Sequence, residues 1–521
     1  MTHAPVETAD FVADWIKGNA QFFPDKLATH DLASGRKRSY ADLHRRVGMV
    51  AGMLRAHGVG VGDRVSVLAM NSTDMLDLQL ACWRLGAIHV PLNFRLSPAE
   101  LAYIVGDAAP KVLVVDTVFE AVARDLTAQS PVQTLIMMDG LGGDTEFERA
   151  VAEAEPVMDM VEQPRSALCM LMYSSGTTGR PKGVTFTHDM MVCAVLNTAP
   201  GMEMSNHMVG LSAMPLFHIG GLMAFSISCF YFGATTVIQR SFEPGETLAT
   251  IDDPDIGVTH ILLVPAMFNA LKTHPDQAKT DFSRMKLTLA GAEAVPESLV
   301  HWWRDQGLIV QEVYGLTETC GAVCFVPKAD LPGKVGTAGR VLPFCRVRLV
   351  GDDGCDVTQG EPGELWVRGG NVTSAYWNRP DANEESFEGA WFKTGDIARM
   401  DADGCLTIED RVKDMYISGG ENVYPAEVEN VLYTLEEIHE VAVIGVPDPH
   451  WGEAGCAVVV TRDRIQLSRD QIVEHCARSL ARFKHPSHVH HVDQLPRNAT
   501  GKVLKYQLRE TVTRELGLDR A

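Results

Sequence analysis

The stretch Ala167-Leu-Cys-Met-Leu-Met-Tyr173 runs without a break into Ser174-Ser-Gly-Thr-Thr-Gly-Arg-Pro-Lys-Gly-Val184. Its first half is an uninterrupted apolar run, the pattern of a strand buried on both faces of a parallel sheet. Its second half opens on six successive glycine and hydroxyl residues, 174–179. Gly176 and Gly179 let the backbone turn tightly enough for successive N–H groups to point at one anion. Ser174, Ser175, Thr177 and Thr178 add hydroxyl donors, and Lys182 adds a positive charge. A buried strand ending in such a loop reads as a grip for phosphate. The Gly-x-x-x-x-Gly-Lys-Ser/Thr spacing is absent, so this is not a Walker A loop.

The same alternation extends outward on both sides. Residues 40–57 carry Leu43, Val47, Val50 and Leu54 at helical spacing, residues 62–70 read as a strand, and residues 76–85 are helical again. Lys111-Val-Leu-Val-Val-Asp116 is another doubly buried run, and strand patterns recur at 134–138, 260–265 and 286–290. Between residues 333 and 403 the texture changes. Cys345-Arg-Val-Arg-Leu-Val350 and Gly363-Glu-Leu-Trp-Val-Arg368 are separated by turns such as Gly351-Asp-Asp-Gly354, which suits a small antiparallel sheet or barrel. From Arg411 onward strands at 441–446 and 457–460 alternate with a helix at 469–482. The predicted class is α/β. It comprises an N-terminal domain, 1–410, of mixed but mainly parallel sheets, with a β-barrel-like subdomain at 333–403, and a small α+β C-terminal domain, 411–521.

Composition narrows the function. A chain of 521 residues, 46% hydrophobic and 22% charged, is long enough for more than one core. The net charge of −21 leaves no basic excess for a nucleic acid or an anionic membrane, so any anionic substrate must be held by local cations and backbone donors. Eleven cysteines are scattered without a CxxC pair; Cys320 and Cys324 lack the partners of a zinc site, and the set reads as buried thiols in a reducing cytoplasm. No basic n-region followed by an apolar run opens the chain. Residues 204–239 contain no Asp, Glu, Lys or Arg, but Pro215, Gly220, Gly221 and Gly233 break the run. A buried strand-turn-helix is expected there rather than a membrane span, and such a segment can wall an apolar ligand pocket. A soluble, cytoplasmic protein is expected, with a homodimer as an expected assembly.

The phosphate loop resembles the signature of the acyl-adenylate-forming superfamily, in its AMP-forming acyl-CoA synthetase branch. The resemblance continues in the family's order through Met214-Pro-Leu-Phe-His-Ile-Gly-Gly221, Tyr314-Gly-Leu-Thr-Glu318, Lys393-Thr-Gly-Asp396, Arg411-Val-Lys-Asp414 and Pro496-Arg-Asn-Ala-Thr-Gly-Lys502. It implies a reaction in two halves: a carboxylate attacks the α-phosphate of ATP, giving acyl-AMP and pyrophosphate, and a thiol then displaces AMP. The implied cofactors are ATP and Mg²⁺, with CoA as co-substrate. By resemblance Tyr314 and Gly315 contact adenine, Thr317 bonds the α-phosphate, and Glu318 holds Mg²⁺. Gly291, Ala292 and Glu293, in the turn Ala290-Gly-Ala-Glu293, lie against adenine and the acyl group. Asp396 and Arg411 bind the ribose hydroxyls. Lys502 reaches the acyl and phosphate oxygens, Lys413 is the hinge of a mobile C-terminal domain, and Ser418, Gly419 and Gly420 line the CoA tunnel. His218 resembles the gate between acyl pocket and tunnel. Asp410 stands where many members have Gly, and Trp451-Gly-Glu453 fits the family without an assigned chemistry.

The acid is less constrained. The segments expected to form its pocket (218–232, 260–267, 290–292 and 315–325) are rich in Met, Phe, Ile, Leu, Cys and small residues. They offer no Asp for an α-ammonium and no clear Arg for a second carboxylate. An apolar mono-acid is expected: short- to medium-chain fatty, sulfur-containing or aromatic. CoA is the expected acceptor, since no carrier domain follows the last unit. Delivery of acyl-AMP to a separate carrier or another acceptor, and a nucleotide sensor without chemistry, are the alternatives.

Overall fold

The computed structural model describes residues 11–128, 130–174, 181–293, 295–411, 414–418, 421–448, 450–497 and 503–518, with the backbone alone for Arg411 and Asn422. Three sheets organise them.

The signature strand, Leu168–Ser174, lies in a six-stranded sheet. Thr134–Met138, Val112–Asp116, Arg64–Leu68 and Ile88–Pro91 run parallel to one another and to it, and Lys182–Thr187 returns antiparallel beside it. Val112–Asp116 shows why a continuous apolar run was readable as a central strand. Val112 and Val114 pack into one core, while Leu113 and Val115 pack into another on the opposite face. Helices cover both faces. Tyr40–Ala56 begins at a capping box in which Ser39 and Asp42 satisfy each other's backbone N–H groups, and it buries Leu43, Val47, Val50 and Leu54.

A second sheet of 14 strands has a parallel centre and antiparallel ends. Val310–Leu316, Leu287–Gly291, His260–Leu263, Val209–Ser212, Thr235–Ile238 and Leu27–Asp31 are parallel neighbours in that order. The antiparallel strands Gly321–Phe325, Gly339–Val341, Cys345–Val350, Gly363–Gly369, Trp391–Met400 and Cys405–Arg411 continue the same hydrogen-bonded path. The uncharged run becomes the strand Val209–Ser212, a helix Ile219–Leu222, a π-helical turn Met223–Ile227, a helix Ser228–Phe232 and the strand Thr235–Ile238. No helix among the described residues is long and apolar enough to cross a membrane.

The third sheet, of five strands, is formed by Tyr416–Ser418, Glu421–Val423, Ile438–Asp448, Gly452–Thr461 and His488–His491. Val441 and Val443 point to a core under the helices Pro425–Leu432 and Arg469–Cys476, and Ala442, Ile444 and Val446 to one under Lys505–Glu515. The helix expected over 469–482 stops at Cys476. Its buried anchors Ile472 and Cys476 are followed by the exposed residues 477–479, and the chain tightens into bonds from Arg478 N to His475 O and Ser479 N to Cys476 O. Nine of the eleven cysteines are buried, with Cys193 half-buried and Cys355 exposed.

Candidate active site

The site forms where the carboxyl ends of the parallel strands meet, the usual place for a ligand in an open α/β sheet. Ser174 ends the signature strand and pairs with Lys182 at the start of the return strand, so the loop between them leaves and re-enters at adjacent positions. Ser175, Gly176, Thr177, Thr178 and Gly179 lie outside the described residues. The Ser174 hydroxyl donates to Glu318 Oε1 at 3.2 Å, and the Tyr376 hydroxyl donates to the same oxygen at 3.0 Å. The Lys182 ammonium stands 5.0 Å from the centre of the Tyr376 ring. Tyr376 arrives because its segment runs along the return strand: Trp377 N donates to Gly183 O at 2.7 Å and Thr185 N to Ala375 O at 3.3 Å. Burial first, and then the Glu318 charge, pushes its phenol far above the usual range, so it stays a donor.

Glu318 therefore presents a carboxylate held by two hydroxyls beside the phosphate loop. No group of three or more His, Cys, Asp or Glu that could hold a metal occurs among the described residues. That donor set fits Mg²⁺, which takes one or two carboxylates and completes its shell with phosphate oxygens and water. Thr317 lies in the same turn, where its carbonyl accepts from Cys320 N at 3.1 Å; the Glu318 carbonyl accepts from Thr373 N at 2.7 Å.

The residues expected at the nucleoside come from the strand Val310–Leu316 and the hairpin Trp391–Met400 with Cys405–Arg411. The Tyr314 hydroxyl donates to Asp396 Oδ2 at 2.5 Å, which brings together the residues expected at adenine and at ribose. Asp396 and Arg411 are direct cross-strand partners. Burial, and then Asp396, raises the Tyr314 phenol well above its usual value. Two glycines are required here. A Cβ at Gly291 would meet Val313 O at 2.4 Å, and one at Gly315 would meet Gly321 O at 2.0 Å. Ala292 adopts φ +70°, a strained value for a residue with a side chain, and is followed by Glu293.

The apolar side starts at His218, at the entry of the helix Ile219–Leu222 and 4.5 Å from the Phe217 ring. Its Nε2 is buried and has no partner among the described residues. Burial, and then the Arg95 charge, pushes its pKa down to about 3, so the ring is neutral near pH 7. Phe94 sits edge-on to Phe217 at 5.0 Å, and Arg95 lies over Phe94 at 5.8 Å. Beyond His218, Gly220 and Ala224 are one helical turn apart and partly exposed, as are Leu262, Val313 and Ala322. Ala224, Leu262, Val313 and Ala322 pack against one buried cluster while staying partly exposed, so they are candidates for an apolar wall.

At the junction with the third sheet, Asp410 Oδ2 accepts from Ala426 N at 3.0 Å, at the start of the helix Pro425–Leu432. Lys413, Gly419, Gly420 and Lys502 lie outside the described residues. Ser418 is buried and pairs with Glu421 and Gly452. Glu453 Oε2 accepts from Ile417 N at 3.0 Å, so Glu453, left without a chemistry above, fastens the strand that carries Ser418. Tyr376 and Arg95 were not singled out in the sequence. An aromatic residue in the turn-rich segment following Gly369-Gly370 was the only local sign of the first, and an Asn93-Phe-Arg95 turn after a buried strand that of the second.

Comparison with known proteins places this geometry. The family model described as AMP-binding enzyme matches residues 16–377, and that described as AMP-binding enzyme C-terminal domain matches 427–502. A feruloyl-CoA synthase of Amycolatopsis sp is 37% identical over 498 residues, covering 96% of this chain and 98% of that protein. An indoleacetate–CoA ligase of Aromatoleum aromaticum is 37% identical over 512 residues, 97% and 98% of the two chains. The solved o-succinylbenzoate CoA synthetase of Bacillus subtilis, in complex with its acyl-adenylate intermediate, superposes with a TM-score of 0.86 at 32% identity, covering 96% and 98%. The chain belongs to the AMP-binding enzyme family of the acyl-adenylate-forming superfamily, and it is an AMP-forming acyl-CoA synthetase.

Proposed function

We propose that this synthetase activates an apolar monocarboxylic acid (aromatic, sulfur-containing or short- to medium-chain fatty) and transfers its acyl group to CoA. The supporting observation is the wall of Gly220, Ala224, Leu262, Val313 and Ala322 beyond a neutral His218, which offers dispersion and desolvation but no charge partner. Relatives that act on feruloyl and indoleacetyl groups favour the aromatic end of this range.

In the first half-reaction the acid's carboxylate attacks the α-phosphorus of ATP and pyrophosphate leaves. Chemistry of this kind depends on positioning and charge stabilisation rather than on a protein nucleophile. In this reading Ser174, Ser175, Thr177, Thr178 and Lys182, with the backbone of Gly176 and Gly179, grip the leaving phosphates. Thr317 donates to the α-phosphate. Glu318 would hold Mg²⁺, which supplies charge neutralisation between phosphate groups. Tyr314 and Gly315 seat the adenine, together with the Gly291-Ala-Glu293 turn, while Asp396 and Arg411 take the ribose hydroxyls. Lys502 meets the charge that builds on the attacking and α-phosphate oxygens. In the second half-reaction the 411–521 domain turns about Lys413, Ser418, Gly419 and Gly420 line the path of CoA, and the thiol attacks the acyl carbon while AMP departs. His218 gates the junction of acyl pocket and tunnel as a neutral ring.

A panel of acids assayed for AMP release with and without CoA tests this reading. An aromatic or medium-chain acid should give CoA-dependent AMP release and an acyl-CoA product. AMP release indifferent to CoA would sink the ligase assignment. A clear preference for a dicarboxylate or an amino acid would overturn the acid class.

A further inference from the structure

Arg497 occupies an unusual position between the third sheet and the nucleotide site. Its Nη2 donates to Glu440 Oε1 at 2.9 Å, within the C-terminal unit, while Nη1 lies 3.6 Å from Glu293 Oε2, in the turn after the strand Leu287–Gly291. The planar guanidinium thus forks between two carboxylates on different units, a task a lysine ammonium performs less well. The three side chains are 27, 23 and 25% exposed, so water only partly screens the ion pairs.

The backbone around Arg497 is anchored to the C-terminal unit. Arg497 and Val503 form an antiparallel bridge, and Leu504 N donates to Pro496 O at 2.8 Å. Leu495 and Val503 pack into the core beneath Lys505–Glu515. Arg497 is therefore rigid with respect to the C-terminal unit and meets the N-terminal one through Glu293. Glu293 in turn follows Ala292, whose positive φ fixes the direction of the turn.

We propose that Arg497 is a positioning residue for the adenylating half-reaction: its pair with Glu293 holds the C-terminal unit against the adenine-side turn, and its pair with Glu440 keeps the guanidinium aimed there. This rests on the proposed function and on reading the present arrangement as the acyl-AMP-forming one, because it sets Arg497, in the motif that ends at Lys502, against the turn at Glu293. Rotation about Lys413 parts Arg497 from Glu293 and leaves Arg497–Glu440 intact, so the interdomain pair favours one of the two arrangements and only the step carried out in it.

The test separates the half-reactions. In Arg497→Ala, acid-dependent pyrophosphate exchange should fall about two- to five-fold, the worth of a partly screened ion pair. Conversion of supplied acyl-AMP to acyl-CoA should be unchanged or faster. Arg497→Lys should recover part of the exchange rate, and exchange by the wild type should weaken more with added salt than exchange by Arg497→Ala. Glu440→Gln weakens only the aiming pair and should give the same split in smaller degree, whereas an equal loss in both half-reactions there would mark loosening of the C-terminal unit and overturn the inference. Equal loss in both half-reactions, or unaltered exchange in Arg497→Ala, overturns the inference. A wild-type enzyme that exchanges pyrophosphate with no acid would instead remove the ligase reading itself.

Discussion

The two halves of the site are held together by different physics. On the nucleotide half the side chains are fixed by directional pairs: Tyr314 on Asp396, and Ser174 and Tyr376 on Glu318. On the acyl half His218 has no hydrogen-bond partner for Nε2 among the described residues, and the neighbouring wall is made of small and aliphatic groups. Directional pairs tolerate little change in donor or acceptor, because an orphaned buried polar group costs its full desolvation. An apolar wall responds to volume and is tuned one methylene at a time. In the proposed reading, chemistry common to the family resides on the first half, and the choice of acid on the second.

The largest expected effect strikes the polar half. Lys502→Ala should slow acyl-AMP formation by about 10²–10³-fold, the cost of removing one charge-stabilising donor, while sparing thioester formation from supplied acyl-AMP. Stopped-flow measurement of pyrophosphate release, alongside acyl-CoA formation from synthetic acyl-AMP, checks this; equal losses would dissolve the proposed division of labour. Next, Asp396→Asn should weaken ATP by about ten-fold or more, since it removes the charge from the hydrogen bond to Tyr314 and from the ribose contacts. Isothermal titration with a non-hydrolysable ATP analogue measures it, and unchanged affinity would contradict the nucleoside assignment.

The strand His260–Leu263, which carries Leu262, should respond to acid at its first residue. Burial lowers the pKa of His260, which packs edge-on to Phe225 at 5.6 Å, to about 4, against about 6.5 when unfolded. The unfolded chain then binds the extra proton, so stability is intact above pH 6.5 and is lost as pH falls from 6.5 toward 4. His260→Gln should reduce the stability lost between pH 7.5 and pH 5.5 by about 1 kcal/mol, read from urea unfolding at the two pH values. The narrowest effect is on selectivity. Gly220→Leu places a side chain toward Leu262 and Met214, the atoms a Cβ there would approach at 3.4 and 3.5 Å. The KM for a bulky aromatic acid should rise by about ten-fold, with little change for a short linear acid. An equal rise for both would show that the wall does not select.

Much of this architecture could be read before any coordinates. The doubly buried run at 112–116 identified a central parallel strand because both of its faces are apolar, and the spaced turns at 351–363 identified antiparallel pairing. The glycines at 291 and 315 stood inside quoted motifs, and each proves to be a place where backbone approaches backbone too closely for a Cβ. The helix begun at Arg469 was read too long because periodicity reports where a stripe continues, not where the core beneath it ends.

What the sequence alone determined is local and periodic: strand or helix, parallel or antiparallel, and the motif residues whose spacing follows from a single turn or strand. Tertiary structure alone decided the pairings across the chain. Tyr376 reaches Glu318 from 58 residues away, and Arg95 comes to lie beside His218 from a different sheet. Arg497 meets Glu293 only because two units pack in one orientation. Such contacts have no sequence spacing to betray them. They are set by which faces of separate sheets must be buried together, a property of the whole packed molecule and not of any segment.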